Sequence, residues 1–442
     1  MNEALAEIET EKETLTPEIS KWYDNYAHST WNSINAMNYP ETGLPSDHLH
    51  YLINDENSAD DFYKIDKTSP TNIGFSLACI GAANALGFIK SPEAESRIDK
   101  TLTTIEKMMT DPKVFISTTE GKGLFINWIK PSTGEVLTKW PSTENEVKQQ
   151  VSTVDNAWLI AFSKLISSQF PQFTSRIDNY LNQVDLPFMF NQETGFFHGC
   201  YLPNSASFEN WHYDVISEAR ISYLVGAENI AELMGNLINR KSKKSIFYDS
   251  KGRPGRATWG GSGFEEWWPR LLVPEDKLNN QWKDNYKATL QGQKDFGTQH
   301  NGGHYGYSDG LNSEGQYINF RVPDSGESPD QYKYQSESSK PAEITVVTVS
   351  ALVNTGMEEP VETYEALKQL HQEFPKLTHK KYGDGDTVNT NTGAIQRDQL
   401  LPNQAASLLS CWNIIKDGEA QNFFMSVIHP SISKIYKLQK LW

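Results

Sequence analysis

The chain is poor in several things a reader would look for first. It has 3 cysteines in 442 residues, Cys79, Cys200 and Cys411, far apart and without a Cys-x-x-Cys pair. That excludes a disulfide framework and a zinc knuckle. No run is apolar for long enough to span a bilayer. The first sixteen residues, Met1 to Thr16, are acidic and hold no apolar core of a secretory signal, so the chain reads as cytoplasmic. Positive charge is also scarce. The net charge of −16 sets the protein against nucleic acid, whose binding rests on Lys and Arg displacing counterions, and against an anionic membrane. A neutral, hydroxyl-rich ligand meets no such barrier. No Ser-, Pro- or Gly-rich linker divides the chain, and no solenoid repeat shows.

Aromatic side chains are abundant: 12 Trp and 19 Tyr exceed what a helical core needs. Flat rings pack against the C–H faces of sugars while keeping a polar edge within reach. Residues 1–15 form a polar lead-in, and 16–442 read as one mainly helical domain. Helical spacing of apolar residues predicts helices over Pro17–Met37, Asn72–Phe88, Pro92–Met109, Asp155–Phe170, Val215–Val225, 228–239, Glu343–Val353, Val361–Phe374 and Gln404–Ile415. Phe115–Leu137 reads as short extended runs, and Asn191–Gly195 as a hairpin. Tyr248–His304, rich in Gly and Trp, reads as loops over a cleft.

Three clusters carry candidate chemistry. In Val151–Leu159 a polar turn meets an apolar helix, and Asp155 either caps that helix or faces a cleft beside Trp158. Trp211-His212-Tyr213-Asp214, followed by Ser217-Glu218-Ala219-Arg220, concentrates aromatics, a His, acids and an Arg at a helix entrance. Trp259 to Pro269 surrounds Glu265 and Glu266 with Trp259, Trp267 and Trp268 and threads them on glycines that permit tight turns. Cleaving a glycosidic bond requires an acid to protonate the leaving oxygen and a second carboxylate to activate water or attack the sugar. Apolar rings help a carboxylic acid keep its proton, because desolvation disfavours the charge. Glu218, after Trp211 and Tyr213, is the candidate acid. His300 and His304 are four apart, but Asn301-Gly302-Gly303 opposes a helix between them, and Gly260-Gly261-Ser262-Gly263 lacks the Lys-Ser/Thr of a phosphate loop. Neither a metal nor a cofactor is expected.

Several segments in this order resemble one family. Thr68-Ser69-Pro70-Thr71-Asn72-Ile73-Gly74, the pair Asn127-Trp128, Val151 to Asp155, His212 to Arg220, and Trp259 to Pro269 resemble the glycoside hydrolase domain of cyclic β-1,2-glucan synthases. More distantly they resemble stand-alone β-1,2-glucanases and glycoamylase-like hydrolases. The resemblance runs over about residues 20 to 415. It implies an all-α fold, an (α/α)6 toroid with long cleft-forming loops on one rim. By the same resemblance Glu218 is the general acid, Asp155 an acidic position near the scissile bond, and Glu265 a sugar-binding or catalytic residue. Asn127, Trp128, Trp158, Trp211, His212, Tyr213, Arg220, Trp259, Trp267 and Gln404 are expected to touch an oligo- or polysaccharide. The chain departs from the family at Pro402-Asn403-Gln404-Ala405 and at Tyr382-Gly383-Asp384-Gly385-Asp386, where substrate-side loops are expected. The resulting expectation is an endo-acting β-glucanase, β-1,2-glucan first. The alternatives are a glycan-binding protein without activity, and a transglycosylase, lyase or isomerase on the same scaffold; ultraviolet-absorbing products would mark a lyase.

Overall fold

A computed structural model describes residues 15–51, 62–240, 246–327, 344–428 and 430–442. All but the last residue of the lead-in thus lies outside the described residues. Fifteen α-helices dominate the described residues: α1 Pro17–Met37, α2 Pro70–Ala85, α3 Ser91–Met108, α4 Thr153–Gln169, α5 Thr174–Gln183, α6 Arg220–Gly226, α7 Glu228–Arg240, α8 Gly263–Trp267, α9 Glu275–Leu278, α10 Asn280–His300, α11 Val349–Thr355, α12 Pro360–Glu373, α13 Leu401–Ile415, α14 Glu419–Val427 and α15 Ser431–Leu438. Described strands are short and pair in twos and threes between helices. Among them are the antiparallel pair Phe115–Thr119 with Lys122–Phe125 and the hairpin of Phe190–Asn191 with Phe196–Phe197.

Burial sorts the helices into two classes. In α2 and α13 nearly every residue is buried, and no residue of α4 is exposed, as expected of helices enclosed by neighbours. In α3 only one stripe is covered, Ala94, Ile98, Thr101, Leu102, Ile105 and Met108, which is the pattern of a helix with one face to water. The enclosed helices touch in order: α2 with α4, α4 with α6, α8 with α11, α11 with α13, and α13 with α2. The remaining step, α6 to α8, is made by the Arg220 guanidinium, which donates to the carbonyls of Glu265 (3.0 Å) and Glu266 (2.8 Å). Outside this series α1 packs on α13 and α2, α3 on α2, α5 on α4, α7 on α6 and α12 on α11, while Tyr286 of α10 stacks on Trp267 of α8. Close approach is built in. A Cβ added to Gly74 in α2 would lie 2.9 Å from the Leu159 Cα of α4, closer than packed side chains tolerate.

The helix starts follow from local chemistry. Ser69 accepts from the Asn72 N–H (3.2 Å) ahead of Pro70, which needs no N–H at the first position of α2. Ser152 does the same for Asp155 at the start of α4 (3.4 Å). One expectation is corrected over Tyr248–His304, which contains α8, α9 and the 21-residue α10 rather than loops alone. The buried stripe of α10 mixes Trp282, Tyr286 and Leu290 with Asn285, Thr289 and Gln293, so its apolar period is diluted by polar residues. Two of them are paired: Asn285 donates to Glu266 (2.5 Å) and Gln293 bonds both backbone groups of Tyr307. The helix expected from Val215 begins only at Arg220. Before it the Asp214 carboxylate accepts from the Ile216 N–H (2.9 Å) and the Ser217 hydroxyl from the Ala219 N–H (3.2 Å), holding a turn.

Candidate active site

The starts of the enclosed helices are joined by a continuous series of contacts. The charges of Asp155 in α4 and of Glu218 both reach the Tyr213 hydroxyl and raise its proton affinity. Glu218 precedes α6 and interacts with Glu265 in the first turn of α8. The Ser262 hydroxyl donates to Asp309 (2.8 Å), and Thr348, just before α11, donates to the Ser308 carbonyl (2.6 Å). The Val349 N–H meets the Asp386 carbonyl (3.1 Å), and Asn403 of α13 donates to the Asp386 carboxylate (2.8 Å). The Leu401 N–H meets the Asp47 carbonyl (2.7 Å), and Asn72 of α2 reaches the Asp47 side chain (2.8 Å). Thr68 pairs with Ile129, and Asn127 with Gln150, carrying the series back toward α4. Six helix entrances among the described residues are therefore linked by one series of contacts, here called the rim.

Four buried carboxylates crowd this rim: Glu218, Glu265, Asp309 and Asp386. Burial raises each, since water no longer supports the charge. Glu218 is pushed up to about 8, first by desolvation and then by the charge of Glu265. Glu265 rises to about 7 by burial although hydrogen bonds from Thr258, Ser262 and Gly260 oppose it. Asp309 rises to about 6 and Asp386 to about 7, again by burial first. Their surroundings differ. Glu265 is fully engaged, accepting from the Thr258 hydroxyl (2.8 Å), the Gly260 N–H (2.8 and 3.0 Å to its two oxygens) and the Ser262 N–H (3.1 Å). This loop needs its glycines: a Cβ on Gly261, whose φ is +68°, would meet the Val322 carbonyl at 2.3 Å. Asp309 accepts from Ser262 and from Asn319 (2.6 Å). Asp386 accepts one bond from the Leu311 N–H (2.6 Å) and one from Asn403. Glu218 is 8% exposed, and burial together with the charges of Glu265 and Asp309 favours its protonated form.

Exposed rings border these acids. Trp211 is 43% exposed and meets Tyr213 edge-on at 5.0 Å, with its indole N–H on Glu209 (2.7 Å). Trp259 is 55% exposed in the loop leading to Glu265, and Tyr317 is 58% exposed on the strand that pairs with Asp309–Leu311. Tyr317 also senses Asp386 and Glu218. Half-buried Trp128 packs edge-on against Trp140 under Lys67, and its neighbour Asn127 has a buried amide oxygen without a hydrogen-bond partner. The His212 ring lies 4.6 Å from that of His198.

Other expected sugar contacts sit elsewhere. Trp158 is core, packed with Phe75, Phe162 and Trp268. Trp267 is fully buried against Tyr286. Arg220 is also fully buried, paired with Glu275 (2.9 Å) and set over the Trp282 ring. Gln404 is buried and holds the Asp384 carbonyl (3.0 Å). Trp158, Trp267 and Arg220 are corrected from ligand contacts to supports, because each is at most 1% exposed. Asp309, Tyr317 and Asp386 are the site residues the sequence reading did not single out. The signal for Asp386 was its place in Tyr382–Asp386, one of the two departures from the family pattern.

His300 and His304 do not form a metal pair: His300 lies against Phe296, and His304 bonds Glu373 (3.0 Å). Among the described residues, the His, Cys, Asp and Glu side chains gathered closely enough to surround an ion are His48, His50 and Asp398. No helix among the described residues is long and apolar enough to cross a membrane.

A family model described as "Protein of unknown function (DUF3131)" matches residues 25–245, half of the chain. No curated protein matches. Among solved structures, the endo-β-1,2-glucanase from Chitinophaga pinensis in complex with sophorotriose and glucose is 14% identical, covering 96% of this chain and 99% of its own, with a TM-score of 0.71. A candidate glucoamylase from Bacteroides uniformis is 15% identical, covering 97% and 98%, with a TM-score of 0.70. A Glu-to-Gln mutant of the endo-β-1,2-glucanase from Talaromyces funiculosus, in complex with β-1,2-glucan, is 12% identical, covering 94% and 90%, with a TM-score of 0.67. The chain shares the fold of these proteins.

Proposed function

The chain belongs to the DUF3131 family, and we propose that this member is a glycoside hydrolase acting on a β-glucan, with β-1,2-glucan first. In this reading the cyclic order of enclosed helices with partners outside them is an (α/α)6 toroid, and the rim of helix entrances is the floor of a substrate cleft. The observation that carries the reading is Glu218: a buried carboxylic acid set among the buried carboxylates Glu265 and Asp309, which favour its protonated form, in a segment that also carries the exposed ring of Trp211.

Glu218 is the general acid. Its O–H passes the proton to the glycosidic oxygen as the bond to the anomeric carbon breaks. Asp386 is the general base, taking a proton from the water that forms the new bond. Two donors orient its oxygens, and a proton affinity near neutral suits a group that must be charged before the step and protonated after it. Tyr317 spans the two acids, and Asp155, across Tyr213 from Glu218, holds sugar hydroxyls. Glu265 is spent on its own loop and acts through its charge, which helps Glu218 keep its proton.

The experiment is product analysis of the purified chain with linear β-1,2-, β-1,3- and β-1,4-glucans. Short oligosaccharides from the β-1,2 substrate support the proposal, and the anomer first released assigns inversion or retention. Asp386→Asn should remove turnover and Asp155→Asn should chiefly raise KM; the reverse pattern moves the base to Asp155. Binding of a glucan with no turnover of any would replace the hydrolase with a glycan-binding protein.

A further inference from the structure

Away from Glu218, the strand His48–Tyr51 carries two histidines at alternate positions, which places both rings on one face of the strand. It pairs antiparallel with Gln399–Leu400, His48 opposite Leu400 and Leu49 opposite Gln399. Continuing that register sets His50 opposite Asp398. One ligand atom from each of His48, His50 and Asp398 lies within 4.8 Å of the others. Ligands about 2.0–2.2 Å from one small cation stand roughly 3–4 Å apart, so only a slight closing is needed. His50, with its side chain 40% exposed, has room to make it.

We propose that His48, His50 and Asp398 bind a divalent first-row metal ion of the zinc class. Two imidazoles and one carboxylate suit such an ion and suit calcium or magnesium poorly. The surroundings are those of a ligand set. The His48 Nδ1 lies 3.1 Å from an Asp47 oxygen, a pairing that orients the ring and leaves Nε2 for a metal. Asp47 is itself held by Lys67 (2.8 Å) and Asn72 (2.8 Å). Asp398 accepts the Tyr51 N–H through one oxygen (2.7 Å) and faces the His50 ring through the other (2.7 Å). Of the nearby cations, Lys67 is paired with Asp47, and Arg397 bonds the Tyr51 hydroxyl (2.9 Å), on the strand's other face. The exposed side of His50 leaves coordination positions open. The ion would clasp the segment leading to α2 onto the one leading to α13. The sequence concealed the site because His50 and Asp398 are 348 positions apart.

The test uses the whole chain, stripped with a chelator and dialysed, with no sugar present. Zn2+ is titrated by calorimetry and Co2+ by visible absorption. One ion per chain is expected, with a wild-type thermal midpoint that rises with Zn2+. His50→Ala and Asp398→Asn should each weaken Zn2+ binding at least about 100-fold, and Asp47→Asn about 10–100-fold. Because Asp398 also caps the Tyr51 N–H, the His50→Ala variant carries the test if Asp398→Asn fails to fold. No zinc binding by wild type, or equal affinity in wild type and His50→Ala, overturns the site. Neither outcome depends on whether the chain hydrolyses a glucan.

Discussion

Glu218 and Arg220 are two residues apart and belong to opposite kinds of buried charge. Arg220 is saturated: its guanidinium reaches Glu275, Tyr286 and the carbonyls of Ser217, Glu265 and Glu266, and Tyr436 closes on Glu275 from α15 (2.6 Å). Glu218 lies among carboxylates, with Glu265 and Asp309 both raising its proton affinity. A buried charge with a partner and satisfied hydrogen bonds holds structure together. A buried acid kept among other acids costs stability and has chemical capacity in exchange. The contrast separates residues that a linear reading of Ser217-Glu218-Ala219-Arg220 groups together.

The sharpest way to break this contrast is to exchange the two roles. Glu218→Gln should lower turnover about 10²–10⁴-fold, the usual contribution of a general acid, and leave the fold intact. It should also make the protein more stable than wild type in alkali. The sign follows from the raised proton affinity: Glu218 titrates near 4.5 when unfolded and near 8 when folded, so its favourable contribution is present below pH 4.5 and lost as pH rises through 8. Unfolding midpoints of both proteins at pH 5 and pH 9 check this. A variant less stable than wild type at pH 9 would count against a proton-holding Glu218.

Arg220→Met should do the opposite. It leaves Glu275 buried without its cation, a loss of about 3–5 kcal/mol, read as a lower denaturation midpoint in urea. An unchanged midpoint would remove Arg220 from the structural class. The smaller signature is in the pH profile. Wild-type turnover should fall as pH rises through about 8, by about tenfold per unit once Glu218 is deprotonated, and that limb should be missing from the residual activity of Glu218→Gln. The same limb in both proteins would assign it to another group.

The contrast also marks how far the sequence could be read. Helices with a regular apolar period were legible, and α1 starts and stops where its spacing predicts. Glu218 was legible because aromatics and charges crowd its neighbourhood. The orientation of Arg220 was not, because residues 215–219 form a turn held by Asp214 and Ser217, so helical spacing does not tell which way the two side chains point. Trp158 lies in a helix with buried residues on all sides and none exposed, whose pattern offers no face to choose. Asp309 and Asp386 come from segments without a dense motif and reach the rim only through pairing with Ser262, Asn319, Leu311 and Asn403. Long-range pairing of that kind has no local signature.

The smallest expected effect divides the tryptophans in the same way. Trp158 and Trp267 are enclosed, and their loss would leave cavities costing about 3–5 kcal/mol each. Trp211 is 43% exposed and leans over Gly199, where a Cβ would strike its ring at 2.2 Å. Its remaining ring surface is free to stack on a sugar, a contact worth about 0.5–1.5 kcal/mol. Trp211→Ala should therefore raise KM for a β-glucan by about 2- to 12-fold while the thermal midpoint stays within a degree or two. A large fall in the midpoint with KM unchanged would return Trp211 to the structural set with Trp158, and the ring that receives the sugar would then be sought at Trp259 or Tyr317.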